Sequence, residues 1–217
     1  MIARQSVQFL GLQWQTGNIL AIPHNKLCAF NNLPRPTTAK QVKRQVASLS
    51  FYRRWCKGFS EIVRPLLEVA VSPAHFKWGP EQENAWQTIK TSMQSSSKLY
   101  IPDPKLPYIA YSDASNHAMS YVLTQKHEGQ ERLVAAISKS FSKAERNYST
   151  YKKELLALAF GLHSLKLYLT GSKLIQYTDA RSAIYLRACK HTSSFLTRIA
   201  LKLSQFQMEL RHLPGSM

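Results

Sequence analysis

The chain has 217 residues, 44% of them hydrophobic, enough for one large domain or two small ones, and this excludes disorder as the starting assumption. Its 29 Lys and Arg against 12 Asp and Glu give a formal charge of +17, which favours a polyanionic partner through counterion release and steering, nucleic acid ahead of an anionic membrane surface. With no apolar run of roughly 18 residues and no continuous apolar stretch behind the N-terminal basic residue, neither a membrane-spanning helix nor a secretion signal is expected, and an intracellular chain with no membrane partner is.

In chain order, Val7 to Ile22 reads as a hairpin, Phe9 to Trp14 and Ile19 to Ile22 flanking a Thr16-Gly17-Asn18 turn. Pro34 and Pro36 forbid regular structure until Thr38, which with Gln41 forms a capping signature opening a helix. Val42, Val46, Leu49, Trp55 and Phe59 mark its buried stripe. A second helix is expected around Ile62 to Val69 and a third from Pro80, with Trp86 and Ile89 in its core contact. The polar stretch Thr91 to Lys98 and the proline-broken Ile101 to Pro107 read as a linker, which places a domain boundary after residue 98. Both sides are basic, +9 over residues 1–98 and +8 over residues 99–217.

Beyond the linker, Tyr108 to Ser112, Ala118 to Thr124 and Arg132 to Ile137 predict a three-stranded meander. Thr150 to Leu169 predicts a helix with Leu155, Leu158, Leu162 and Leu165 on one face, ended by Gly171. Leu174 to Thr178 predicts a strand, Ser194 to Gln205 a helix and Phe206 to His212 a last strand. This order predicts an α/β layer structure, helices covering a mixed sheet. Cys28, Cys56 and Cys189 form no C-x-x-C pair, and the seven histidines never recur three or four residues apart, so free thiols are expected and neither zinc nor a histidine-bound metal is.

Three carboxylates stand where a carboxylate is otherwise awkward: Asp113 and Asp179 end strands, and Glu154 sits on a mostly apolar helix. A buried acid is costly unless paired or bound to metal, and strand ends in α/β sheets are common places for a site to open. The residues alone leave an ordinary role open for each. Asp113 would serve a turn or a cap, Glu154 would pair with Lys152 or Lys153 on a solvated face, and Asp179 would cap a helix from Arg181.

The segment Tyr111-Ser-Asp-Ala-Ser115 resembles the first-strand acidic motif of retroelement ribonuclease H domains. Ser138 to Thr150, followed by Lys153-Glu-Leu-Leu-Ala-Leu158, resembles the loop and first helix of that domain in Ty3/Gypsy-type Pol polyproteins, and Tyr177-Thr-Asp-Ala180 resembles its next acidic strand. Upstream, Phe9-Leu-Gly-Leu12, Leu33-Pro-Arg-Pro-Thr37, Phe51-Tyr-Arg-Arg54, Phe59-Ser60, Arg64-Pro-Leu66 and Phe76-Lys-Trp78 are similar to the segment joining the reverse transcriptase palm to the ribonuclease. The resemblance implies a ribonuclease H-like mixed sheet covered by helices, preceded by a small hairpin-plus-helices module. Residues 1–98 would be the C-terminal, thumb- or connection-like segment of a reverse transcriptase, and residues 99–217 a ribonuclease H-like domain truncated at its C-terminus.

The activity implied is metal-dependent hydrolysis of the RNA strand of an RNA–DNA hybrid. Asp113, Glu154 and Asp179 would be the catalytic residues and would hold Mg²⁺ or Mn²⁺, with Asp113 bridging two ions. The implied partners are the hybrid and the remainder of the polyprotein, including the palm and integrase, in the cytoplasm or a virus-like particle. The family pattern has a fourth acid after a segment resembling His212-Leu-Pro-Gly215, whereas no Asp or Glu follows Glu209 here, so an incomplete site is one expectation. Ala118-Met-Ser-Tyr121 stands where the family has small glycine-rich residues, which bears on how closely a hybrid approaches, and Ala180 stands where it commonly has histidine. No paired-aspartate polymerase motif occurs in the chain. The alternative is a non-catalytic nucleic-acid-binding remnant in which Arg53, Arg54 and Lys57, beside Trp55, grip the ligand.

Overall fold

The computed structural model describes residues 5–71, 76–95, 98–179 and 193–213. The chain divides into two compact units, Met1–Ile101 and Pro102–Met217.

In the first unit, strands β1 (Ser6–Phe9) and β2 (Leu12–Gln15) are joined by a two-residue turn in which Leu10 and Gly11 take φ of 51° and 76°. Both residues in the left-handed region make a tight hairpin, and this breaks the single strand expected over Phe9 to Trp14. β3 (Ile19–Ala21) pairs with β2, and β4 (Lys98–Tyr100) returns from the far end of the unit to pair with β3, giving the order β1-β2-β3-β4. Lys98–Tyr100 therefore belongs to the first sheet, and the division falls after Ile101, where the sequence places a linker and a boundary after 98. What the composition hides is Leu99, buried and paired with Leu20.

Helix α1 (His24–Asn31) precedes the prolines and was not expected. α2 (Ala39–Ser50) starts as expected, with Thr38 Oγ1 accepting from the Gln41 amide at 3.2 Å. The Gln41 side chain reaches back to the Thr37 amide at 2.7 Å, one residue earlier than a capping box requires. A 3-10 turn at Arg53–Trp55 leads into α3 (Phe59–Ile62), α4 (Arg64–Val69) and α5 (Pro80–Ser95). Val42, Leu49, Trp55, Leu66, Trp86 and Ile89 are buried in the core of this unit. The sheet face that begins at buried Leu99 continues outward through Leu20, Trp14 and Val7, a register row crossing all four strands. Its outer end is uncovered, with Trp14 43% and Val7 52% exposed.

In the second unit, β5 (Tyr108–Ala114), β6 (Ala118–His127) and β7 (Gln130–Ser140) form the expected antiparallel meander. α6 (Lys143–Arg146) opens with a capping box between Ser142 and Glu145. α7 (Thr150–Ser164) carries the leucine face, and the helix breaks at Leu165 before a short α8 (Lys166–Leu169). β8 (Leu174–Thr178) lies parallel to β5, α9 (Ser194–Ser204) follows, and β9 (Met208–His212) lies parallel to β8. The sheet order β7-β6-β5-β8-β9 is mixed, with Leu155, Leu158 and Leu162 of α7 packed into one core with Tyr108, Ala110, Tyr121 and Leu123.

Tyr121 is fully buried, so its bulk faces the core and not an approaching ligand. Its ring lies where a side chain on Gly161 of α7 would have to go, and a Cβ at Gly161 would overlap it. Gly161→Ala is expected to destabilise the fold by about 1 to 3 kcal/mol although alanine is the better helix former. Urea unfolding of the two proteins checks this, and equal stability would contradict the packing.

Candidate active site

Parallel pairing of β5 with β8 sets Ser112 opposite Thr178, so the next residue on each chain, Asp113 and Asp179, emerges at the same end of the sheet. α7 packs on β5 and β6 and brings Glu154 to that end from above. Both aspartates are exposed, whereas Glu154 is only 5% exposed. One Glu154 oxygen is served by the Ala114 backbone amide, while Oε2 is buried with no hydrogen-bond partner. Burial, then the charge of Asp113, then that of Asp179, pushes the Glu154 carboxyl up to about 7.

The ordinary roles open to Asp113 and Glu154 are met by other contacts. Lys153 donates to Asn116 Oδ1 at 3.3 Å, and Lys152 lies over the rings of Tyr148 and Phe195. Ser115 holds the β5–β6 turn, its hydroxyl accepting from the His117 and Ala118 amides. Ala180 and the stretch Asp179 would cap lie outside the described residues.

His212, not singled out as a site residue in the sequence, has its Nε2 3.5 Å from Asp179 Oδ1. It reaches that position because β9 pairs with β8 in a register that sets His212 opposite Thr178. No local spacing carries that information, since the two residues meet only through strand pairing. Tyr111 and Tyr177 stack at 5.2 Å with an interplanar angle of 10°, and Tyr111 donates to Glu131. Burial and this bond push the Tyr111 phenol up to about 12.

A carboxylate oxygen shielded from water and without a donor, beside two further carboxylates, is a donor set that fits a hard divalent cation. Among the described residues no three such groups stand at metal-holding distances.

In the first unit, Arg53 donates to Ser60 Oγ at 3.3 Å and lies 5.5 Å over the Phe59 ring. Arg54 and Lys57 are exposed, but Trp55 is 2% exposed and belongs to the core, so it does not form a surface with them. No Asp or Glu precedes Glu61. Arg64 engages Glu61, Glu68 and Glu81, and Arg35 engages Glu83, which leaves the acidic groups of this unit on its later helices.

Residues 78–176 match the RNase H-like domain found in reverse transcriptase. The chain is 32% identical over 209 residues to the retrovirus-related Pol polyprotein from transposon 412 of Drosophila melanogaster, covering 96% of this chain and 17% of that polyprotein. It is 31% identical over 221 residues to the one from transposon opus of the same organism, covering 96% and 22%. Its fold is that of a foamy viral protease-reverse transcriptase solved in complex with an RNA/DNA hybrid, with a TM-score of 0.75 at 18% identity, covering 99% of this chain and 30% of that one. The matched domain and the shared fold thus make residues 78–176 similar to the RNase H-like domain found in reverse transcriptase. The chain is homologous, over most of its length, to Pol polyproteins of gypsy-type transposons. It spans about a fifth of the length of those curated relatives.

The raised Glu154 carboxyl fixes the sign of a pH dependence. The folded state binds that proton more tightly than the unfolded chain, so this group's stabilisation is greatest below its ordinary 4.5 and is lost as pH rises to about 7. Without divalent cations, wild type is expected to lose up to about 3 kcal/mol relative to Glu154→Gln across that window. Denaturant midpoints of both proteins at pH 4.5 and pH 7.5 measure it, and parallel profiles would refute the burial of this acid.

Proposed function

We propose that the second unit hydrolyses the RNA strand of an RNA–DNA hybrid, with Asp113, Glu154 and Asp179 as its catalytic carboxylates. The observation that carries this reading is the buried, unpartnered Oε2 of Glu154 beside two aspartates at a strand end. These three residues would hold Mg²⁺ or Mn²⁺, which when bound supplies an activated water and stabilises charge on the leaving oxygen. The chain's own contribution is positional. β5 and β8 present the aspartates, α7 keeps Glu154 dry, and His212 beside Asp179 limits that side chain's freedom. The foamy viral relative solved with an RNA/DNA hybrid supports this substrate class.

The first unit is read as the thumb- or connection-like end of a reverse transcriptase, with the rest of a Pol polyprotein, palm and integrase included, as its partner, inside a cell or virus-like particle. Among the described residues no helix is long and apolar enough to cross a membrane. Arg53, Arg54 and Lys57 would meet phosphates, in keeping with the absence of acids before Glu61. That basic segment also favours a second reading, a module that binds nucleic acid without cutting it.

A labelled RNA–DNA hybrid incubated with the chain separates the readings. Cleavage that requires Mg²⁺ or Mn²⁺ and falls about 100-fold or more in Asp113→Asn is the expected result, given what metal ligands contribute. Hybrid binding with no cleavage at any cation level, in this chain and in one extended past Met217 with an added acid, would favour the binder. Arg54→Ala and Lys57→Ala are each expected to weaken hybrid binding irrespective of sequence and to lower the salt slope by about 1. Binding isotherms at several salt concentrations measure this, and an unchanged slope would remove those residues from the interface.

A further inference from the structure

Directly behind the strand ends, a buried polar line crosses three strands. Tyr121 Oη on β6 donates to Gln176 Oε1 on β8 at 2.7 Å. Gln176 Nε2 in turn donates to Ser112 Oγ on β5 at 3.3 Å and to the Tyr177 carbonyl at 2.7 Å. Tyr121 and Gln176 are fully buried, and Ser112 is buried as well. An apolar side chain at position 176 would fill the same inward position of β8 without the desolvation cost of an amide, so the network is a poor device for stability alone. What it does fix is geometry: both side-chain amide groups of Gln176 are used, tying β8 to Ser112 on β5 and to Tyr121 on β6. Ser112 immediately precedes Asp113, and Tyr177 stands two residues before Asp179. Side chains alternate along a strand, so this tie grips the β5–β8 pair from the side opposite to the Tyr111–Tyr177 stack.

We infer that Gln176, anchored by Tyr121, is a positioning residue that fixes the relative placement of the β5 and β8 ends from which Asp113 and Asp179 emerge, and so tunes how they take up a divalent cation. The inference rests on the reading of Asp113, Glu154 and Asp179 as a cation site, and it assigns no contact between Gln176 and the cation or substrate.

The test is thermal unfolding of the full chain titrated with MnCl₂, compared with EDTA, for wild type, Asp113→Asn and the double variant Tyr121→Phe/Gln176→Met. The double variant removes donor and acceptor together and keeps the volume, so its Tm in EDTA is expected to stay within a few degrees of wild type. Its Mn²⁺ midpoint is expected to rise about tenfold, the scale on which outer groups tune metal affinity, while Asp113→Asn loses the Mn²⁺ effect. A double variant with a wild-type midpoint, where Asp113→Asn has lost the effect, overturns the positioning role and leaves the cation site standing. A wild type unaffected by Mn²⁺, or an Asp113→Asn variant stabilised equally, overturns the site and the inference with it. If the double variant does not fold, Tyr121→Phe, which keeps the ring against Gly161, carries the test with an expected rise of about threefold, and an unchanged midpoint there overturns the role.

Discussion

The parallel pairing of β5 with β8 is the constraint on which the second unit depends, because parallel neighbours cannot be joined by a tight turn and need a crossover. α7 and α8 lie in that crossover, between β7 and β8, and α7 covers the sheet. The same pairing sends both strands outward at one end, so residues 66 positions apart in sequence, Asp113 and Asp179, arrive at the same sheet end without either being drawn there by the other. Two like charges would not choose each other's company. The backbone ladder and the leucine core of α7 hold them there, and the cost appears where water cannot reach, on Glu154.

That division of labour accounts for the electrostatic contrast in the chain. A protein with a formal charge of +17 concentrates carboxylates at one sheet end and keeps its first sixty residues free of them. Long-range attraction for a polyanion and local attraction for a cation operate over different distances, the first screened over about 8 to 10 Å of saline and the second acting at contact. The basic first sixty residues suit the first kind of attraction and the carboxylates at the strand ends the second.

Periodicity was a good guide wherever burial is local. The meander, the leucine face of α7, the strand at Leu174 and the Thr38 cap all follow from short-range pattern. The errors arise from pairing over long range and from local backbone conformation. Lys98–Tyr100 looks like part of a linker because its partner, β3, lies almost eighty residues earlier, and Gly11 splits a strand because two left-handed residues turn it back on itself. The acids were visible as oddities of setting, but His212 and Gln176 were not, since what makes them matter is the strand that lies alongside. Tyr121 stood out only as a departure from the family's small residues, and the partner that admits it, Gly161, is an unremarked glycine in a helix.

Tyr121 and Gly161 also limit how this sequence can drift. Any side chain gained at Gly161 collides with a buried ring, whereas a smaller residue at 121 merely leaves a hole that a later gain at 161 would fill. The two orders of change are not equivalent, for one passes through overlap and the other through a cavity. A lineage that keeps the tyrosine is thereby held to its glycine, and the exchange of one for a bulkier helix residue becomes possible only after the other has gone.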